Sequence, residues 1–224
     1  MPQVFDCSVA DELLTGMRVA KQSIAKGALV VVPTDTVYGI ACDAFSAAAV
    51  AKLLAAKGRD RQSPPPVLIK DAATMQALAE FVPEVAQKLA TAFWPGALTL
   101  ILRSQPSLHW DLGETRGTVA LRVPGHKIAL ALLEETGPLA VSSANLTGQP
   151  AATDAQSSVD YFGENVSAYL DASASPRGEA STILDLTSIS ANSTGSIRVV
   201  RQGACSLDDI KAVVGDEFEI EAAE

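Results

Sequence analysis

Apolar residues recur along this chain with two periods. Leu13, Leu14, Met17, Ala20 and Ile24 return every three or four positions, which is one face of a helix, and Gly27 stands where a terminating glycine belongs. The spacing predicts a helix over 9–26. The short apolar run 28–32 predicts a buried strand. Ser46 can cap an alanine-rich helix over 47–56 that stops near Gly58. Val67 to Ile69 reads as a strand, Asp71 as the cap of a helix, and Pro83 as the start of another reaching Thr91. Strands follow at 98–102 and 119–123, a helix at 126–135, a strand at 139–141 and a helix at 153–162. Three more strands are expected at 166–170, 182–186 and 196–200, and Ser206 can cap a last helix. Alternation of this kind predicts an α/β fold.

No internal repeat or long linker divides the chain. One domain is expected over 1–205, followed by a short helix and acidic tail over 206–224 whose ending, GDEFEIEAAE, should fray. The proline-rich 61–66 and the Ser/Ala/Gly-rich 171–181 are the expected mobile loops.

Composition narrows the function. Of 224 residues, 48 % are hydrophobic and 19 % charged, enough for a sizeable core. A net charge of −9 repels phosphate backbones and acidic membranes, so an anionic ligand needs a local basic site. Three widely spaced cysteines argue against a disulfide framework or a zinc site and fit a reducing cytoplasm. The N-terminus has no secretory pattern, and no apolar stretch is long enough to span a membrane.

Against this background four stretches stand out. After the 28–32 strand comes Pro33-Thr34-Asp35-Thr36, with Tyr38 and Gly39 close behind. Thr and Asp can simply hold a tight turn; alternatively the strand ends at a crevice, where open α/β sheets hold ligands. Residues 52–61 carry Lys52, Lys57, Arg59 and Arg61 against one carboxylate, Asp60. Cations suit a helix C-terminus by its dipole alone, yet Lys57 and Arg59, two apart on an extended segment, would also form a point charge and a planar fork for a polyphosphate. A second strand, 139–141, runs into a polar turn with Ser142, Ser143, Asn145 and Thr147. Arg122 interrupts an apolar strand and needs a partner, either a protein carboxylate or a ligand carboxylate. Arg198 and Arg201 flank a further strand.

Other chemistries are missing. No glycine-rich dinucleotide or P-loop motif follows a strand, and no G-x-S-x-G is present. His109 and His126 are isolated, as surface or capping residues are. Few aromatics are available to stack on single-stranded RNA.

In order along the chain stand PTDTVYGIACDA (33–44), KGR (57–59), WPGALTLIL (94–102), TVALRVPGH (118–126), SSANLTGQP (142–150), STILD (181–185) and VVRQG (199–203). Together they resemble the threonylcarbamoyl-AMP synthase family, the YrdC-like proteins, in its single-domain form. Ala97, Asp60 and Gln202 depart from residues common in that family, and 60–70 lacks a histidine some members use toward threonine. The resemblance implies a twisted mixed sheet with flanking helices and a large concave cavity, not a Rossmann sheet. It implies that ATP, L-threonine and bicarbonate or CO2 give L-threonylcarbamoyl-AMP and pyrophosphate. Downstream transfer proteins would then modify adenosine 37 of tRNA, so that tRNA is at most an indirect partner.

By the same resemblance, Lys57, Arg59, Ser143 and Asn145 form the reactive set. ATP would be held by these four with Thr118 and Arg201, and threonine by Thr36, Arg122 and Ser181. Mg2+ would arrive with ATP, since no metal cage is visible. Asp35 is expected to hold the turn, not to act as a base. The rival from another class is a non-catalytic RNA-binding module; a carbamoyl-adenylate domain like those of hydrogenase-maturation proteins is a second.

Overall fold

The computed structural model describes residues 2–175, 178–190 and 194–221. Its strands are β1 (Val4–Asp6), β2 (Val30–Val32), β3 (Gly39–Asp43), β4 (Val67–Leu68), β5 (Leu98–Arg103), β6 (Thr118–Arg122), β7 (Leu139–Ser143), β8 (Ala168–Asp171), β9 (Thr182–Asp185), β10 (Ser196–Arg201) and β11 (Glu219–Glu221). Its helices are α1 (Ala10–Ala25), α2 (Ala47–Lys57), α3 (Ala72–Leu78), α4 (Glu84–Phe93), α5 (Lys127–Thr136), α6 (Ala155–Phe162) and α7 (Leu207–Val214).

Side-chain chemistry sets the helix ends. Ser46, Asp71, Asp154 and Ser206 each accept a backbone N–H of the first turn, which satisfies a donor the helix leaves open. Gly58 ends α2 at φ 66° and ψ 36°, a left-handed conformation that favours glycine.

All strands join one mixed sheet in the order β1-β8-β2-β3-β7-β4-β6-β5-β9-β10-β11. Three of these were not expected from the sequence. β1 is a short edge strand paired parallel to β8. β3 continues directly from the polar turn, pairing antiparallel with β2 and β7. β11 pairs parallel with β10, so the acidic ending does not fray through Glu221; residues 222–224 lie outside the described set, as do 176 and 177 of the 171–181 loop.

The sheet separates two apolar clusters. One lies under α2, α3, α4, α6 and α7 and includes Leu53, Met75, Leu89, Phe162 and Ile210 with the strand residues Leu98, Leu100, Leu121 and Leu184. The other lies under α1 and α5 and includes Ala20, Ile24, Leu132 and Leu133 with Val30, Val32, Leu68 and Val141. Each fully buried leucine stabilises by about 1.5–3 kcal/mol. Strand alternation assigns the faces: in β5 the leucines 98, 100 and 102 enter the first cluster, which leaves Thr99 and Ile101 to the opposite side. There, beyond the α1–α5 layer, the sheet borders a cavity. Leu68 and Val141 belong to both the second cluster and the cavity wall.

Candidate functional site

The cavity has a volume of about 300 Å³, at the small end of ligand sites. Its floor is the β5–β6 face, with Thr99, Ile101, Thr118, Ala120 and Arg122. The 34–39 turn and the end of β7 form one wall, β9 and β10 another, and the loops carrying Arg59 and Pro64–Pro66 close over it. The turn after β2 therefore does end at a crevice. A Cβ at Gly39 would lie 2.6 Å from Val141 Cγ1, so any larger residue there would have to displace that side chain.

Seven of the nine residues expected at a site line this cavity: Thr36, Arg59, Thr118, Arg122, Ser143, Ser181 and Arg201. Two do not. Lys57 is fully buried, and its ammonium donates to Ser143 O, to Asn145 O at 2.7 Å and to Asn145 Oδ1 at 3.4 Å. Asn145 is also buried, and its amide nitrogen donates to Leu146 O at 2.9 Å and Gln149 O at 2.7 Å. The expectation that Lys57 and Arg59 share one extended side fails because Lys57 is still the last helical residue. The chain turns at Gly58 before Arg59 enters the cavity.

Arg122 lines the cavity and is also tied into the protein. Its partner is a protein carboxylate: NH2 donates to Asp35 Oδ1 at 2.6 Å, NH1 to Thr36 Oγ1 at 3.0 Å and Nε to Gly96 O at 2.8 Å. Asp35 Oδ1 also accepts the Gly125 N–H at 2.8 Å. Asp35 is thus a turn-holding residue, buried behind the wall, with its side chain tied to β6 and the loop after it.

Three guanidiniums meet in this space. Among the described residues neither Arg59 nor Arg201 has an ion-pair partner. Arg59 donates to Ser142 Oγ at 3.2 Å, and Arg201 donates to Ser181 O and Oγ. Burial, and then the charges of Arg122 and Arg59, lower the pKa of Arg201; a third cation placed here is disfavoured until an anion enters. Within an acidic protein this is a local anion site. Among the described residues no carboxylate lines it, and no group of His, Cys, Asp and Glu can hold a metal.

The hydroxyls have a defined polarity. Thr34 Oγ1 donates its one hydrogen to Val37 O at 2.6 Å, so the hydrogen in its 3.0 Å contact with Thr36 Oγ1 comes from Thr36. Thr36 also accepts from Arg122. Its oxygen therefore faces the cavity as an acceptor. Thr99, missed in the sequence, sits 2.9 Å from Ser181 Oγ; the signal for it was a lone hydroxyl inside the leucine-rich β5.

Burial lowers the Lys57 pKa to about 7, with Arg59 adding to the effect. His126, at the start of α5, is held below its usual pKa by burial, partly offset by Asp35. His109 is exposed. No helix among the described residues is long and apolar enough to cross a membrane.

The Sua5/YciO/YrdC profile, described as "Telomere recombination", matches residues 22–203. A Mycobacterium leprae protein, provisionally named threonylcarbamoyl-AMP synthase, is 48 % identical over 96 % of this chain and 95 % of its own. The threonylcarbamoyl-AMP synthase of Pyrococcus abyssi is 35 % identical over 89 % of this chain and 57 % of its own length. The crystal structure of P. abyssi Sua5 complexed with L-threonine superposes with a TM-score of 0.87 at 32 % identity, covering 99 % of this chain and 62 % of that one. This chain thus spans less than two thirds of the archaeal protein. Escherichia coli YciO, 24 % identical with a TM-score of 0.80, shares the fold.

Proposed function

The chain belongs to the Sua5/YciO/YrdC family, and on that footing we propose that it is an L-threonylcarbamoyladenylate synthase, a nucleotidyltransferase. It joins L-threonine, bicarbonate or CO2, and ATP, and releases pyrophosphate. The observation that carries this reading is the meeting of Arg59, Arg122 and Arg201 in a hydroxyl-lined cavity of a chain with net charge −9. The names of the relatives, and the threonine in the P. abyssi structure, support it.

The neutral threonine amine adds to CO2 and gives up a proton to water, leaving an anionic carbamate. One carbamate oxygen attacks the α-phosphorus, and the bond from that phosphorus to the α,β-bridging oxygen breaks, so that the β- and γ-phosphates leave together as pyrophosphate. Charge builds on phosphate oxygens during this step, and fixed cations in a partly dry site stabilise it most. Arg59 and Arg201 take that role, with hydroxyl contacts from Ser143 and Thr118. Thr36 accepts an N–H of the amino acid, and Ser181 lies beside it on the threonine side. Arg122, its charge already balanced by Asp35, fixes Thr36 in place. The carbamate is anionic before it attacks, so the residues here position and neutralise without a general base.

Mg2+ enters as part of MgATP. Among the described residues the cavity offers hydroxyls and guanidiniums but no carboxylate, so phosphate oxygens and water would carry the metal. The free thiols of Cys7 and Cys42 suit the reducing cytoplasm. There the product would pass to proteins that transfer the threonylcarbamoyl group to adenosine 37 of tRNA.

The test is pyrophosphate release from ATP with threonine and bicarbonate omitted in turn. Release should need all three. Release that ignores threonine, or proceeds only with carbamoyl phosphate, would rule this function out. ATP silence together with salt-sensitive tRNA binding would point to the RNA-binding alternative.

A further inference from the structure

We propose that Lys57 and Asn145 are positioning residues: neither touches the nucleotide, and together they build the turn that presents Ser143 to it. The inference rests on ATP being the ligand of the cavity.

An ammonium has three N–H donors and no acceptor. Lys57 points all three at oxygens of one turn, Ser143 O, Asn145 O and Asn145 Oδ1. Among the described residues no carboxylate pairs with it, and its side chain is wholly buried. No donor remains for a phosphate. The main chain of Lys57 holds the same turn from its other side, since Lys57 O accepts Thr147 N at 3.0 Å and Thr147 Oγ1 at 2.8 Å. Asn145 is equally committed: both hydrogens of its amide go to carbonyls of the turn, at Leu146 and Gln149. The turn is thus wound around the end of α2, and one residue of it behaves differently. Ser143 gives its carbonyl to Lys57 but lines the cavity, and its hydroxyl has no protein partner among the described residues. The buried post serves that hydroxyl.

A direct ligand and a positioning residue differ in a double-mutant cycle. MgATP affinity is measured by calorimetry for Lys57→Met, Ser143→Ala and the double variant, with circular dichroism to verify folding. Lys57→Met should weaken MgATP tenfold or more in the unmodified protein and threefold or less in the Ser143→Ala background. A full tenfold loss in both backgrounds means that Lys57 touches the nucleotide itself and overturns the proposal. Thr147→Val keeps Lys57 and removes one hydroxyl from the outside of the turn, so it decides the matter if Lys57→Met does not fold. It should weaken MgATP two- to fivefold, with no further loss in Ser143→Ala; equal losses in the two backgrounds overturn the proposal. An unmodified protein that binds no MgATP overturns both this inference and the function beneath it, which separates the two failures.

Discussion

Asp35→Asn is the substitution that most directly tests how the site is braced. Asp35 and Arg122 form an ion pair at 2.6 Å with side chains only 10 % and 8 % exposed. Asparagine keeps an oxygen for Arg122 and for the Gly125 N–H, so the shape survives while the countercharge is lost. Breaking a buried pair by neutralising one partner costs about 3–5 kcal/mol, because the remaining charge is left uncompensated. The retained hydrogen bonds favour the lower end, about 3 kcal/mol. For a chain of this length each kcal/mol lowers Tm by about 2–4 °C, so a fall of roughly 6–12 °C is expected. The assay is calorimetric unfolding at neutral pH, run beside pyrophosphate release. Adding Arg122→Met should recover part of the loss, since the stranded charge is then gone. A Tm within about 2 °C of the unmodified protein, well inside the interval expected for this pair, would refute the bracing role. A stable but inactive Asp35→Asn would make Asp35 a reacting group instead.

Three further outcomes are expected. Arg59→Ala should slow pyrophosphate release about tenfold or more, since one hydrogen bond to a charged group contributes about 1.5–3 kcal/mol; an unchanged rate would remove Arg59 from the phosphate site. Gly39→Ala should raise KM for the substrates by pushing Val141 into the cavity, because the new Cβ meets its Cγ1 at 2.6 Å; unchanged steady-state KM would contradict the wall as described. Stability should rise with pH above about 7, because the unfolded chain still holds the Lys57 proton (ordinary pKa 10.5) that the folded chain has released. Above pH 9 the slope should bend downward: the unfolded thiols ionise at 9.0, while burial raises folded Cys7 to about 11 and Cys42 to about 12. Urea titrations across pH 6–10 read this slope, at most about 1.4 kcal/mol per pH unit for one proton, and Lys57→Met should flatten its rising limb.

Much of the architecture is legible in the chain because local chemistry and tertiary packing agree. Ser46, Asp71 and Ser206 cap helices as their types suggest, and the apolar runs at 98–102 and 119–123 are strands. The strands that escaped notice are those whose pairing comes from elsewhere. GIACD looks like the tail of a turn until β7 lies beside it, and EIE is a strand only against β10. The site was legible in its cations and hydroxyls but not in their depth. Lysine is almost never fully buried, so a KGR sequence at a helix end reads as a surface hook; only the folded turn at 143–149 reveals oxygens enough to bury it. Thr99 was hidden for the opposite reason. A threonine among leucines looks like strand filler, and its face is fixed only once the leucines choose theirs.

The walls of the cavity come from five separated stretches between residues 34 and 201, and β9, which forms part of one wall, pairs with β5 some eighty residues earlier. A polypeptide still leaving the ribosome therefore has no closed cavity until the segment carrying Arg201 has emerged and docked. A single protease cut that frees this last segment would take one wall of the cavity with it.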